Sequence, residues 1–197
     1  GTFHLWFLFY LSLTTIVSVM LGLLFQKLPR ISNYITLAFE WIMNKIFLRL
    51  IILSLLTAIV YFVIGSYVSP ISNSFIPDFN TFIYFFYFYI ICWVLFRSKH
   101  LLRTFMVADR IYVVLGLLIL NPLLLIISPS LNFEINVVLA STTLWINIFG
   151  ITGLFIRYTS NYSSLMRYIS DASYWVYLIH LPITVIIPSL IVNWPLH

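Results

Sequence analysis

Charge is what this sequence has least of: Asp, Glu, Lys and Arg make up 8% of its 197 residues, against 62% hydrophobic. A water-soluble fold of this length needs far more polar surface, so a soluble enzyme or binding domain is excluded and the solvent is lipid. Acidic residues are scarcest, five against ten Lys and Arg. In a soluble protein the resulting net charge of +5 would suggest nucleic acid. Here the cations lie in short gaps between apolar runs, where anionic headgroups are their counter-ions, and nucleic acid is not expected as a partner. A single cysteine, Cys92, excludes an intrachain disulfide framework and a thiolate metal cluster; it reads as a small buried apolar residue. A glycine-rich phosphate loop, a GxSxG elbow, HExxH and Cys/His metal spacings are also missing, so neither a metal nor a bound cofactor is expected. The first apolar stretch lacks a basic leader and a small-residue cleavage site, and should remain in the membrane.

What is present is a series of apolar runs: Leu5 to Phe25, Phe47 to Val68, Phe79 to Phe96, Ile111 to Ser128, Ile135 to Ile156 and Ser173 to Asn193. Each approaches the roughly 20 residues a helix needs to cross hydrocarbon, and none shows the alternation of a β-barrel. The fold class is therefore all-α, a polytopic membrane bundle of six helices forming a single transmembrane domain over residues 1–197. The Lys and Arg residues occupy alternate gaps: Lys27, Arg30, Lys45 and Arg49, then Arg97, Lys99, Arg103 and Arg110, then Arg157 and Arg167. Under the positive-inside rule these gaps are cytoplasmic, and both ends of the chain lie on the outer side of a bacterial inner membrane. Within the first gap, residues 31–45 carry Ile31, Ile35, Ala38 and Ile42 on one face and Asn33, Thr36, Glu40 and Asn44 on another, the pattern of an interfacial amphipathic helix.

Polar groups inside the spans are costly in lipid unless paired or facing a cavity, so they mark candidate sites. In the last span Ser173, Tyr177, His180 and Thr184 follow spacings of four, three and four and share a face. Pro182 and Pro188 release the carbonyls of Leu178 and Thr184 and bend the helix there. Two roles fit His180, a structural hydrogen bond or a place on a substrate path. Asn147 and the Asn121-Pro122 pair suit an interhelical hydrogen bond or a ligand contact. Gly22 four residues after Ser18, with Gly150 and Gly153, suits close helix packing. Tyr84, Phe85, Phe86, Tyr87, Phe88 and Tyr89 encircle their helix for packing or for stacking on a sugar or acyl chain. Asp171 is placed just before the last helix, where a carboxylate favours an N-terminus.

Two strings carry a resemblance: His4-Leu5-Trp6-Phe7-Leu8-Phe9-Tyr10-Leu11, and Ser170-Asp171-Ala172-Ser173-Tyr174-Trp175-Val176-Tyr177-Leu178-Ile179-His180-Leu181-Pro182-Ile183. Together they resemble the family 3 membrane acyltransferases, and most of all the branch that succinylates periplasmic glucans; other branches acetylate O-antigen, exopolysaccharide and antibiotic hydroxyls. The family is similar to a bundle of ten helices with both ends cytoplasmic, and the resemblance makes these six spans its helices four to nine. It implies a fragment whose upstream helices deliver the chain to the outer side. The implied function is transfer of an acetyl or succinyl group from cytoplasmic acyl-CoA to a glycan hydroxyl outside, with a His as general base.

Acyl-CoA is then a donor substrate, not a bound cofactor. Its phosphates would meet Arg97, Lys99, Arg103, Arg157 or Arg167. His4 and Trp6 lie near the outer mouth, beside the acceptor, while Tyr177, His180, Thr184 and Asn147 line the interior. The family's catalytic Arg and His on its first helix have no counterpart here, so no catalytic residue is assigned and the chain is read as lacking the catalytic helix. A flippase or transporter for a lipid-linked sugar, or a noncatalytic membrane subunit, are the alternatives. The acyl group, the acceptor and the oligomeric state are not encoded in these patterns.

Overall fold

The computed structural model describes residues 6–70, 77–160 and 163–191. The protein is an all-α bundle, 89% helical with no strand among the described residues. Helix α1 spans Trp6–Gln26, α2 Pro29–Met43, α3 Ile46–Ile64 and α4 Phe79–Arg97. A 3-10 segment, Lys99–Val107, leads into α5 (Asp109–Val113), a π-helical segment Val114–Leu120 and α6 (Asn121–Ile127). Helices α7 (Phe133–Thr159) and α8 (Ser164–Ile191) follow.

Five stretches among the described residues are long and apolar enough to cross a membrane: Leu8–Gln26, Ile46–Ile64, Phe79–Arg97, Asp109–Ser130 and Phe133–Thr159. They coincide with the first five predicted spans. The sixth lies on α8 as far as Ile191, where the described residues end, and α8 begins nine residues before the predicted start at Ser173. Asp171 is consequently inside the helix and not ahead of it. Leu165, Met166, Tyr168 and Ile169 continue the apolar helical spacing upstream, and neither Gly nor Pro interrupts it.

Lipid as solvent inverts the usual sorting of side chains. On α1 the exposed residues include Ile16, Val19, Met20, Leu23 and Leu24, whereas Tyr10, Thr14 and Ser18 are buried. With Gly22 these make a stripe of spacing four that packs on α4, where Tyr10 meets Phe85 and Phe25 meets Trp93. Cys92 departs from expectation, since it is exposed on α4. An apolar thiol gains little from burial when the alternative is hydrocarbon.

Helix α7 is the central element and packs on α3, α5, the 3-10 segment and the π segment. Its buried residues include Asn136, Ala140, Thr143, Ile146, Gly150 and Gly153, at helical spacings of three and four. Opposite them α3 buries Leu53, Ser54, Thr57, Ala58 and Tyr61. Thr57 is the polar knot of this core. Its hydroxyl donates to the Leu53 carbonyl at 2.8 Å, accepts from the Trp145 indole at 2.7 Å and lies 2.9 Å from the Tyr87 hydroxyl. The aromatic run of α4 serves packing of this kind: Tyr84 stacks on Tyr61 with ring centroids 6.1 Å apart, and Phe88 approaches Trp145.

Two terminations follow from local chemistry. Gly65 ends α3 in the left-handed region at φ 73°, which a residue without Cβ adopts without strain. Asp78 caps α4, its Oδ2 accepting from Thr81 N at 2.8 Å and Thr81 Oγ1 at 2.7 Å. Those two bonds hold the Asp78 carboxyl below its usual range. A lowered native pKa gives stability that is present above the unfolded value and lost as pH falls through the native one. Asp78→Ala should therefore cost about 1 kcal/mol at neutral pH and shrink that difference below about pH 4, as read by thermal unfolding in detergent across that range.

Candidate functional site

The three basic gaps converge on one end of the bundle. Arg97 Nη1 donates to Ser32 Oγ at 2.6 Å, Ser98 Oγ donates to Glu40 at 2.8 Å, and Arg49 Nη1 reaches the Thr104 carbonyl at 3.2 Å. Arg157 binds Asp109, with Nε to Oδ2 at 2.6 Å and Nη2 to Oδ1 at 3.0 Å, and also donates to the Met106 carbonyl. Arg110 donates to the Tyr158 hydroxyl at 3.0 Å. At the opposite end the Tyr10 hydroxyl accepts from Asp78 N at 2.8 Å, and Asn136 Nδ2 donates to the Ser128 carbonyl at 2.9 Å. The alternation of charge along the sequence is thus an alternation of ends in space.

Not every cation at the basic end faces outward. Arg49 is fully buried, with its guanidinium carbon 4.7 Å from the Phe149 ring centre and 5.1 Å from that of Phe105. Its Nε and Nη2 are buried and meet no hydrogen-bond partner among the described residues, so it belongs to the core. Arg157 forms a two-point pair with a carboxylate that is 2% exposed. Of the five cations proposed for a phosphate-bearing donor, Arg157 is thereby committed to Asp109. Arg97, Lys99, Arg103 and Arg167 are exposed, and none is paired with a carboxylate among the described residues. Lys99 lies over the Phe96 ring at 5.5 Å.

Beside Arg97 is a crevice of about 380 Å³ between α1, α2 and α4. Gly22 and Gln26 of α1, Ser32 and Asn33 of α2, and Trp93 and Arg97 of α4 line it. The sequence placed Lys27, Arg30 and Arg97 in basic gaps but gave no signal that Gln26, Ser32, Asn33 and Trp93 would meet, because α2 must first fold back on α1. Asp109 was similarly hidden. Its one available signal is that it is an acidic residue within the second basic gap.

Asn147 Nδ2 donates to Asn121 Oδ1 at 3.2 Å, the interhelical bond that its position suggested. A Cβ on Gly116 would stand 2.2 Å from Asn147 Oδ1, so glycine in the π segment is what lets this amide in. The widened turns of residues 114–120 precede Pro122, whose missing N–H leaves the carbonyl four residues earlier without its helical donor. Among the other interior candidates, Tyr177, His180 and Thr184 lie on α8, but their side chains fall outside the described residues, as do that of Trp6 and the whole of His4. Comparisons with family models, with characterised proteins and with solved structures find no match for this chain.

Proposed function

We propose that this chain forms part of an integral-membrane O-acyltransferase that moves an acetyl or succinyl group from cytoplasmic acyl-CoA to a hydroxyl of a periplasmic or cell-surface glycan. The observation that carries the reading is the gathering of basic residues at one end of a membrane-type bundle. Arg97, Lys99 and Arg103 follow one another from the last residue of α4 into the 3-10 segment and remain exposed. A polyphosphate donor is held by such unspent cations, because charge-assisted hydrogen bonds to phosphate are roughly twice as strong as neutral ones. The basic end is then the cytoplasmic face, which agrees with the positive-inside rule. Arg157 is left out of donor binding because its charge is balanced by Asp109.

The two strings that resemble the family 3 acyltransferases supply the reaction class, and the general base is not assigned to any residue of this chain. Transfer of label from acyl-CoA to a glycan, assayed in membranes holding the complete gene product, tests the reading. Lys99→Gln with Arg103→Gln should raise KM for the donor about tenfold with little change in kcat, the pattern of lost uniform binding. His180→Ala and Trp6→Ala should lower transfer if those side chains line the substrate path. Absence of transfer by the wild-type membranes overturns the proposal.

A further inference from the structure

The crevice beside Arg97 has a chemistry of its own, which shares Arg97 with the proposed donor contacts but does not require acyl transfer. Its lining contains one full charge, that of Arg97, and no Asp or Glu. The nearest acid along α2, Glu40, is engaged by the Ser98 hydroxyl at 2.8 Å. Arg97 gives one N–H to Ser32 Oγ at 2.6 Å, and its remaining donors have no protein acceptor among the described residues. Ser32 is buried; its hydroxyl accepts that bond and keeps its own hydrogen to give. Gln26 and Asn33 add amide N–H groups.

The opposite wall is apolar, with Phe25 and Trp93 rings 6.2 Å apart. A site with a cation, neutral donors and an apolar flank fits an anion attached to an organic group. Its volume of about 380 Å³ lies within the range of small-ligand pockets.

We propose that the crevice between α1, α2 and α4 binds a phosphate ester, with Arg97 as its cation and Gln26, Ser32 and Asn33 as neutral partners. The phosphate can come from the headgroup of a membrane phospholipid or from a water-soluble phosphorylated molecule. Gly22 lines the crevice, and a Cβ there would make ordinary contact with Trp93 at 3.7 Å, so a larger side chain takes up space between α1 and α4 while every charge is kept.

The test uses the full chain in phosphatidylcholine nanodiscs. One arm adds phosphatidylglycerol and counts retained lipid by native mass spectrometry; the other titrates pyrophosphate by calorimetry. Arg97→Gln and Gly22→Leu should each weaken binding about tenfold, the size expected for a lost charge-assisted hydrogen bond or a filled site. Arg97→Lys should restore part of it, and Arg110→Gln, outside the crevice and bonded to Tyr158, should leave it intact. Effects confined to phosphatidylglycerol identify a lipid headgroup as the source, and effects confined to pyrophosphate a soluble one. Should Arg97→Gln fail to fold, Gly22→Leu still decides, since it keeps every charge. Wild-type binding of both probes by Gly22→Leu, or equal losses in Arg97→Gln and Arg110→Gln, overturns the proposal.

Discussion

Arg157→Met is expected to destabilise the folded protein more than any single change on the other side of its ion pair, because it leaves the partner carboxylate uncompensated. The reason lies in the unequal burial of the two groups: the Asp109 side chain is 3% exposed and that of Arg157 is 35% exposed. Removing the arginine strands a carboxylate in a protein interior, where the Arg110 backbone N–H at 2.8 Å is its remaining donor among the described residues. Asp109→Asn leaves instead a partly exposed guanidinium that can turn toward headgroups, so its cost should be clearly smaller. The double replacement Asp109→Leu with Arg157→Met should recover most of the loss, because it strands neither charge. Unfolding in mixed micelles by added sodium dodecyl sulfate measures all three. Equal losses in the two single variants would show that the pair is solvated like a surface bridge.

Gly153→Ala should destabilise by about 3 kcal/mol, the upper end for overpacking. A Cβ at this position would come within 2.5 Å of the Phe105 carbonyl oxygen and 2.6 Å of Asp109 Cβ. The obstruction is backbone, so rotation of a side chain cannot relieve it. Helix α7 must then move away from the 3-10 segment, which also stretches the Arg157 to Asp109 bonds one turn further on. Gly22→Ala is the control, because its added methyl group meets only Trp93 at 3.7 Å. Comparable melting temperatures for the two variants in the same detergent would show that α7 and the 3-10 segment are not tightly apposed.

Most of the architecture was legible because lipid makes sequence periodicity simple. Phe79 to Phe96 became α4 with one residue added, and Ile135 to Ile156 became the core of α7. The fourth run was legible as a span but not as broken geometry. Pro122 announced a disturbance, yet the π segment lies ahead of it, where Gly116 admits the Asn147 side chain. That depends on a neighbour 31 residues away, and local sequence carries no trace of it.

The site was less legible for the same reason. Spacing shows which residues share a face of one helix, but the crevice draws on three helices. A buried cation such as Arg49 is indistinguishable in sequence from an exposed one. Ser32 illustrates both limits. It lay between the predicted apolar and polar faces of residues 31–45, and the structure buries it against Arg97.

Arg49 has a consequence for how orientation is encoded. Basic residues instruct topology while the chain is still being threaded, before any helix has a neighbour. Once α3, the 3-10 segment and α7 close around it, this guanidinium lies between Phe105 and Phe149 and no longer meets any headgroup. The same side chain can therefore serve as an address label during insertion and as a fastener afterward. Whichever leaflet receives this end, the finished molecule carries a weaker surface field there than its roster of arginines and lysines suggests.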